Sequence, residues 1–135
     1  MPIIIDGWNF IRSDSSDISD DEESSIESAE ALLRRLGEFQ ASHSDPIIVV
    51  FDSTREHLDL RFAGAARKIT VVPARDADDY IKRYIEKTPE RQRRGLRVVS
   101  DDNAVFYHAK SSYATPLRCS EFWGKLHKSA AHVSR

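Results

Sequence analysis

At 135 residues, with 40% hydrophobic and 31% charged positions, the chain has the composition of a folded domain that needs no disulfide or structural metal, which excludes a disordered or fibrous protein. A net charge of −2 excludes binding to a polyanion through bulk charge alone. The lone Cys119 rules out an internal disulfide, no apolar run approaches the roughly 18 residues of a membrane span, and the start Met1-Pro2-Ile3-Ile4-Ile5-Asp6 lacks the features of a signal peptide, so one domain over 1–135, cytoplasmic and free of the membrane, is expected.

In chain order, Pro2-Ile3-Ile4-Ile5 is a continuous apolar run that stops at Asp6, too short for a helix and suited to a strand covered on both faces. An acidic loop follows over 13–23, with Asp14, Asp17, Asp20, Asp21, Glu22 and Glu23. Ser24-Ser25-Ile26-Glu27 reads as a capping box, and Ile26, Ala29, Leu32, Leu33, Leu36 and Phe39 then lay one apolar stripe along a helix. Ile47-Ile48-Val49-Val50-Phe51, ending at Asp52, is a second strand; 57–66 reads as a short helix or irregular connection; Ile69-Thr70-Val71-Val72 is a third strand. Asp76 is placed to cap a helix striped by Ala77, Tyr80, Ile81, Tyr84 and Ile85. A basic loop over 87–95 precedes Leu96-Arg97-Val98-Val99, which ends at Ser100-Asp101. A helix from Asp102 or Asn103 to about Lys110, a fifth strand at Thr115-Pro116-Leu117-Arg118 and a final helix after Ser120, with Phe122, Trp123 and Leu126 inward, complete the order. Strands alternating with helices predict an α/β sandwich with right-handed crossovers.

Ligands of open α/β sheets bind beyond the carboxyl ends of the strands. Asp6, Asp52 and Asp101 close three of the runs, and Asp76, Asp78 and Asp79 open the helix after another. Capping or turn formation accounts for some of them, Asp76, Asp79, Asp102 and Asp52 above all. Carboxylates gathered at one edge nevertheless repel each other, and a cation relieves that repulsion. The five histidines show no ligand spacing and no cysteine pair exists, which argues against zinc. Clustered oxygen donors suit Mg²⁺ or Mn²⁺, one or two ions, and such ions commonly serve phosphate chemistry.

The motifs themselves resemble a known family. Ile4-Ile5-Asp6-Gly7-Trp8-Asn9-Phe10-Ile11 resembles the "D-G-Y-N-hydrophobic" opening of NYN domains, in particular the YacP-like group of the PIN-like nuclease superfamily. Val50-Phe51-Asp52-Ser53 resembles its "F-D-A", Ala77-Asp78-Asp79-Tyr80-Ile81 its "A-D-S-Y-I", Val98-Val99-Ser100-Asp101 its "V-T-S-D", and Cys119-Ser120-Glu121-Phe122 the start of its final helix. The resemblance implies a three-layer α/β/α sandwich on a mainly parallel five-stranded sheet of order 3-2-1-4-5. It also implies that Asp6 and Asp101 face each other and that Asp78 leans in from its helix. Two features depart from the pattern: Lys82, where members often carry a glutamate, and the acidic insert 13–23.

The expectation that follows is a metal-dependent endoribonuclease. Asp6, Asp78 and Asp101 would hold the ions and carry catalysis. Asp52 and Asp79 would complete the cluster or orient waters, and Asn9 and Ser100 would hydrogen-bond a carboxylate, a metal water or the phosphate. Arg12, Arg55 and Arg75 follow strands one, two and three and would bind the RNA, free or within a ribonucleoprotein. The basic run 87–97 precedes strand four and is expected at the far end of the sheet. Trp8 and Tyr80 are candidates for stacking on bases. The alternative is a non-catalytic NYN-like RNA-binding or adaptor module, in keeping with Lys82 and the acidic loop. A phosphotransfer or receiver-like domain is disfavoured, because no lysine ends strand four or five. A DNA substrate stays open, since no residue pattern marks a sensor of the 2′-hydroxyl.

Overall fold

The short β-branched runs do form strands. In a computed structural model that describes residues 1–18, 25–52 and 68–133, side chains of Ser25 and 129–133 excepted, they are β1 (Ile3–Asp6), β2 (Ile47–Asp52), β3 (Ile69–Ala74), β4 (Arg97–Val99) and β5 (Thr115–Leu117). They make one five-stranded sheet of order β3-β2-β1-β4-β5, and every pairing is parallel. The register places Ile5 beside Val49 on one side and Val99 on the other. The helices are α1 (Gly7–Arg12), α2 (Ser25–Gln40), α3 (Ala77–Lys87), α4 (Glu90–Arg93), α5 (Asn103–Ser111) and α6 (Cys119–Val133).

Side chains alternate across a strand, so each central strand feeds two cores. Ile3, Ile5, Ile47, Val49, Phe51 and Val99 pack under α1, α2 and α6 with Phe10, Leu32, Leu36, Phe39, Phe122 and Trp123. Ile4, Val50 and Val98 pack on the other face with Ile81 and Ile85 of α3 and Val105 and Ala109 of α5. The result is three layers. Burial on both faces is what the continuous hydrophobicity of β1 and β2 required. The edge strands β3 and β5 carry Pro73 and Pro116, residues whose missing N–H an edge tolerates.

Two short helices have no counterpart in the sequence reading. α1 buries Trp8, Phe10 and Ile11, yet its six residues are too few for a helical period to stand out. Its hold on α6 is specific: Phe10 stacks on Trp123 with centroids 4.4 Å apart, and the Trp123 Nε1–H donates to the Phe10 carbonyl at 2.8 Å. α4 buries nothing and lies within the basic run. That run enters β4 at its amino end, where Arg97 pairs with Asp45 at 2.7 Å and Asp45 also takes the Met1 amine. The basic segment therefore sits at the edge opposite the strand-end aspartates, as the chain order implies.

The boundary of α6 needs correction. It starts at Cys119 rather than after Ser120, because its first amide is satisfied by a distant group: the Asp101 carboxylate accepts the Cys119 N–H at 2.9 Å. Asp76 caps α3 by accepting the Asp79 N–H, and Asp102 caps α5 by accepting the Val105 N–H, as their positions predicted. Ser24 of the capping box, the 57–66 connection and part of the acidic loop lie outside the described residues. Among those described, no helix is long and apolar enough to cross a membrane.

Candidate active site

Strand order reverses between β1 and β4, and that switch point opens a crevice at the carboxyl edge of the sheet. A cavity of about 300 Å³ lies there. The ends of three structural units converge on it: Asp6 from β1, Asp52 from β2, and Asp76 and Asp78 from the start of α3. Asp102, after β4, completes the acidic wall, and Asn9 and Arg12 of α1 line the remainder. A larger groove of about 570 Å³ runs between the 17–18 loop and α2, but its Asp17 and Arg35 are already paired with each other at 2.6 Å. The smaller cavity gathers five aspartates against Arg12.

Asp6 is the centre of this electrostatics. It is 8% exposed, and burial pushes its carboxyl up to about 7, with the charges of Asp78 and Asp102 adding to the rise and the Asn9 backbone amide opposing it. The side-chain contact between Asp6 and Asp78 raises the first further and lowers the second. Asp78 is nonetheless raised, by desolvation first and then by Asp102 and Asp76, while Lys82 on the same helix draws it down. A buried acid held half-ionised near neutrality is a reactive arrangement and an unfavourable one for the fold alone.

Gly7 explains why α1 can begin directly at Asp6. A Cβ there would lie 2.5 Å from the Phe51 ring, so only glycine lets the chain turn against β2. The turn then aims Asn9 at the end of β4. Its Oδ1 accepts the Asp101 N–H at 2.7 Å, and the Cys119 thiol donates to the same oxygen at 3.3 Å. Ser100, fully buried, accepts the Asp102 N–H through Oγ at 3.0 Å. Asn9 and Ser100 thus fix the 100–102 turn.

That turn decides which aspartate faces the cavity. Asp101 turns its carboxylate to the Cys119 amide, while Asp102 lines the crevice as well as capping α5. Sequence reasoning treated Asp102 only as a cap. Neighbouring aspartates at a strand end carry no local signal of which points inward. Asp79 is exposed and paired with Arg83 Nε at 2.9 Å, outside the cavity lining. Arg75 is exposed in the turn before α3, Arg12 lines the mouth with its guanidinium 5.6 Å over the Trp8 ring, and Arg55 lies outside the described residues. Trp8 is 5% exposed, tilted on Phe51 at 4.8 Å with its Nε1–H on the Asp52 carbonyl, so it forms a wall of the cavity more than a platform. Tyr80 packs half-buried against the α3 face of the core.

Among the described residues, no three His, Cys, Asp or Glu side chains are already arranged to hold a metal ion. The donor set still has the chemistry of a hard-cation site. Its groups are carboxylate oxygens, and burial, aided by the neighbouring carboxylates, holds the Asp6 carboxyl up to about 7.

A parallel sheet of order 3-2-1-4-5 between helical layers, with its acidic crevice at the switch point, defines an α/β fold of the PIN-like class. Within it, the chain belongs to the YacP-like NYN domain family, whose model matches residues 3–135. The crystal structure of Rae1 (YacP) from Bacillus subtilis superposes with a TM-score of 0.76 at 17% identity, covering 100% of this chain and 78% of that one. Its W164L mutant gives 0.74 at the same 17% identity, covering 99% and 79%. At that identity the likeness speaks for the fold. A comparison with curated proteins finds no match.

Proposed function

We propose that this protein is a metal-dependent endoribonuclease, hydrolysing RNA phosphodiester bonds in the crevice between β1 and α3. One observation carries the reading: Asp6, buried at the end of β1, and Asp78, at the start of α3, line one cavity with three further aspartates, Asp52, Asp76 and Asp102. Membership of a family in the PIN-like nuclease superfamily supports it.

Asp6 and Asp78 would hold the ion, with Asp102 in the place the sequence gave to Asp101, and Asp52 at the rim. Bound there, Mg²⁺ or Mn²⁺ would neutralise the carboxylates, acidify a water and offset charge on the leaving oxygen. The chain's own residues do the rest. Asp6, held up near 7 by burial, would have to give up its proton to take a cation, with Asp78 beside it in the cavity lining. Asn9 and Ser100 lock the turn that presents Asp102 and leaves Asp101 to start α6. Arg12, at the mouth, is placed for a phosphate, and the Trp8–Phe51 wall keeps bulk water from one side of the pair. The whole chain acts as one unit, in the reducing cytoplasm where a lone buried thiol stays unoxidised.

A non-catalytic RNA-binding module is the second reading. It is favoured by Lys82, whose charge already stabilises ionised Asp78 from within the helix. Cleavage of a labelled unstructured RNA with Mn²⁺ separates the two. The purified protein is expected to cut internally, and Asp6→Asn or Asp78→Asn to reduce the rate at least a hundredfold with the circular dichroism spectrum unchanged. Binding of the same RNA with no cutting in any divalent ion would assign the module instead.

A further inference from the structure

Arg118 closes β5 at the same sheet edge as the crevice, and its side chain is held in an unusual way. The guanidinium lies 3.7 Å above the Phe106 ring centroid and 5.9 Å from that of Tyr107. Its Nη1 donates to the Asp101 carbonyl at 3.1 Å. Phe106 and Tyr107 meet edge to face at 5.3 Å, and Tyr107 is 55% exposed. Among the described residues no carboxylate pairs with this guanidinium; the nearby Glu121 Oε1 takes the Arg118 backbone N–H instead. The chain has therefore immobilised a cation without neutralising it, next to an aromatic ring open to solvent.

The position matters as much as the chemistry. Arg118 grips the carbonyl of Asp101, whose neighbour Asp102 lines the crevice. Phe106 lies four residues into the helix that Asp102 caps, roughly 6 Å along its axis. A strand leaving the crevice over the first turn of α5 would meet this unit next.

We propose that Arg118, Phe106 and Tyr107 form a nucleotide subsite flanking the crevice on its β5 side, where the guanidinium fork takes a phosphate and the Tyr107 ring stacks on an unpaired base. The inference rests on the RNA-cleaving reading above and deepens it. A planar guanidinium fixed by stacking loses little freedom on meeting a phosphate, and base stacking on tyrosine is tolerant of sequence. Single-stranded RNA is favoured over duplex, because a paired base offers no free face to the ring.

The experiment measures Kd for a fluorescein-labelled single-stranded RNA in EDTA, and KM and kcat for its cleavage in Mn²⁺. Tyr107→Ala should weaken Kd and raise KM about tenfold, with the loss in KM rather than kcat, and Tyr107→Phe should restore both. Arg118→Gln should weaken binding while Arg118→Lys recovers only part, since lysine keeps charge but not the stacked fork. Tyr113→Ala is the control: it is 70% exposed just past the far end of α5, and should bind as the wild type does. Wild-type Kd and KM in both Tyr107→Ala and Arg118→Gln would overturn the subsite while leaving the nuclease reading intact. An equal loss in Tyr113→Ala would overturn it as well, by showing that any surface ring contributes. A wild type that binds but never cuts, with binding still lost in Tyr107→Ala, would overturn the nuclease reading and keep the subsite.

Discussion

Asp6 is stabilised in its neutral form, and this fixes how the fold responds to pH. Its carboxyl titrates near 7 in the folded chain, against an ordinary 3.8. Between those values the folded state binds more protons than the unfolded one, so the contribution of Asp6 is fully present at low pH and is lost as pH rises through 7. At about 1.4 kcal/mol per pKa unit the cost above neutrality is roughly 4 kcal/mol, shared in practice with Asp78. Asparagine at position 6 keeps the size and removes the charge. In EDTA at pH 8, Asp6→Asn should melt several degrees above the wild type, and the gap should shrink below pH 7 and close only towards the ordinary carboxyl value of 3.8. A variant that melts lower at pH 8 would show that ionised Asp6 is well solvated after all. The substitution that abolishes cleavage is thus expected to stabilise the ion-free protein.

At the scale of the element, the β1–α1 junction sets the site. Gly7→Ala would drive a methyl into the Phe51 ring, whose position is fixed by Trp8 and the core. Overpacking of this kind costs about 1–3 kcal/mol. Urea denaturation should show that loss, along with a drop in activity as Asn9 is displaced; unchanged stability would mean Phe51 moves aside freely. The same junction shows what a sequence can and cannot say. Strands β1 to β4 and helices α2, α3 and α5 were legible because each carries a period or a cap within its own residues, and β5 was legible more faintly as a short edge. α1 was not, since six residues give no period and its partners Phe51 and Trp123 are remote in sequence. The start of α6 lies two residues earlier than expected for a related reason: its amide is satisfied by Asp101, eighteen positions away. Motif resemblance points to Asp6 and Asp78 for the crevice, and to Asp101 where Asp102 lines it. Which of the two faces inward depends on Asn9, remote in sequence, and on Ser100 within the turn itself.

For the molecule as a whole, the parallel sheet separates two kinds of chemistry. The amino edge carries the basic run leading into Arg97, which pairs with Asp45, as does the Met1 amine. The carboxyl edge carries the crevice, where β1 and β4 part and the carboxylates meet. A net charge of −2 gives no long-range pull on RNA, so the proposed affinity would have to come from local groups such as Arg12 and Arg118 and from the proposed cation. The central claim is that the Asp6–Asp78 crevice is where that cation goes. The most direct measurement is anomalous scattering from crystals soaked in Mn²⁺ above pH 7.5. The account predicts a peak inside the crevice in contact with both Asp6 and Asp78, lost in Asp6→Asn. Manganese bound only at surface carboxylates, with nothing between those two residues, would contradict it.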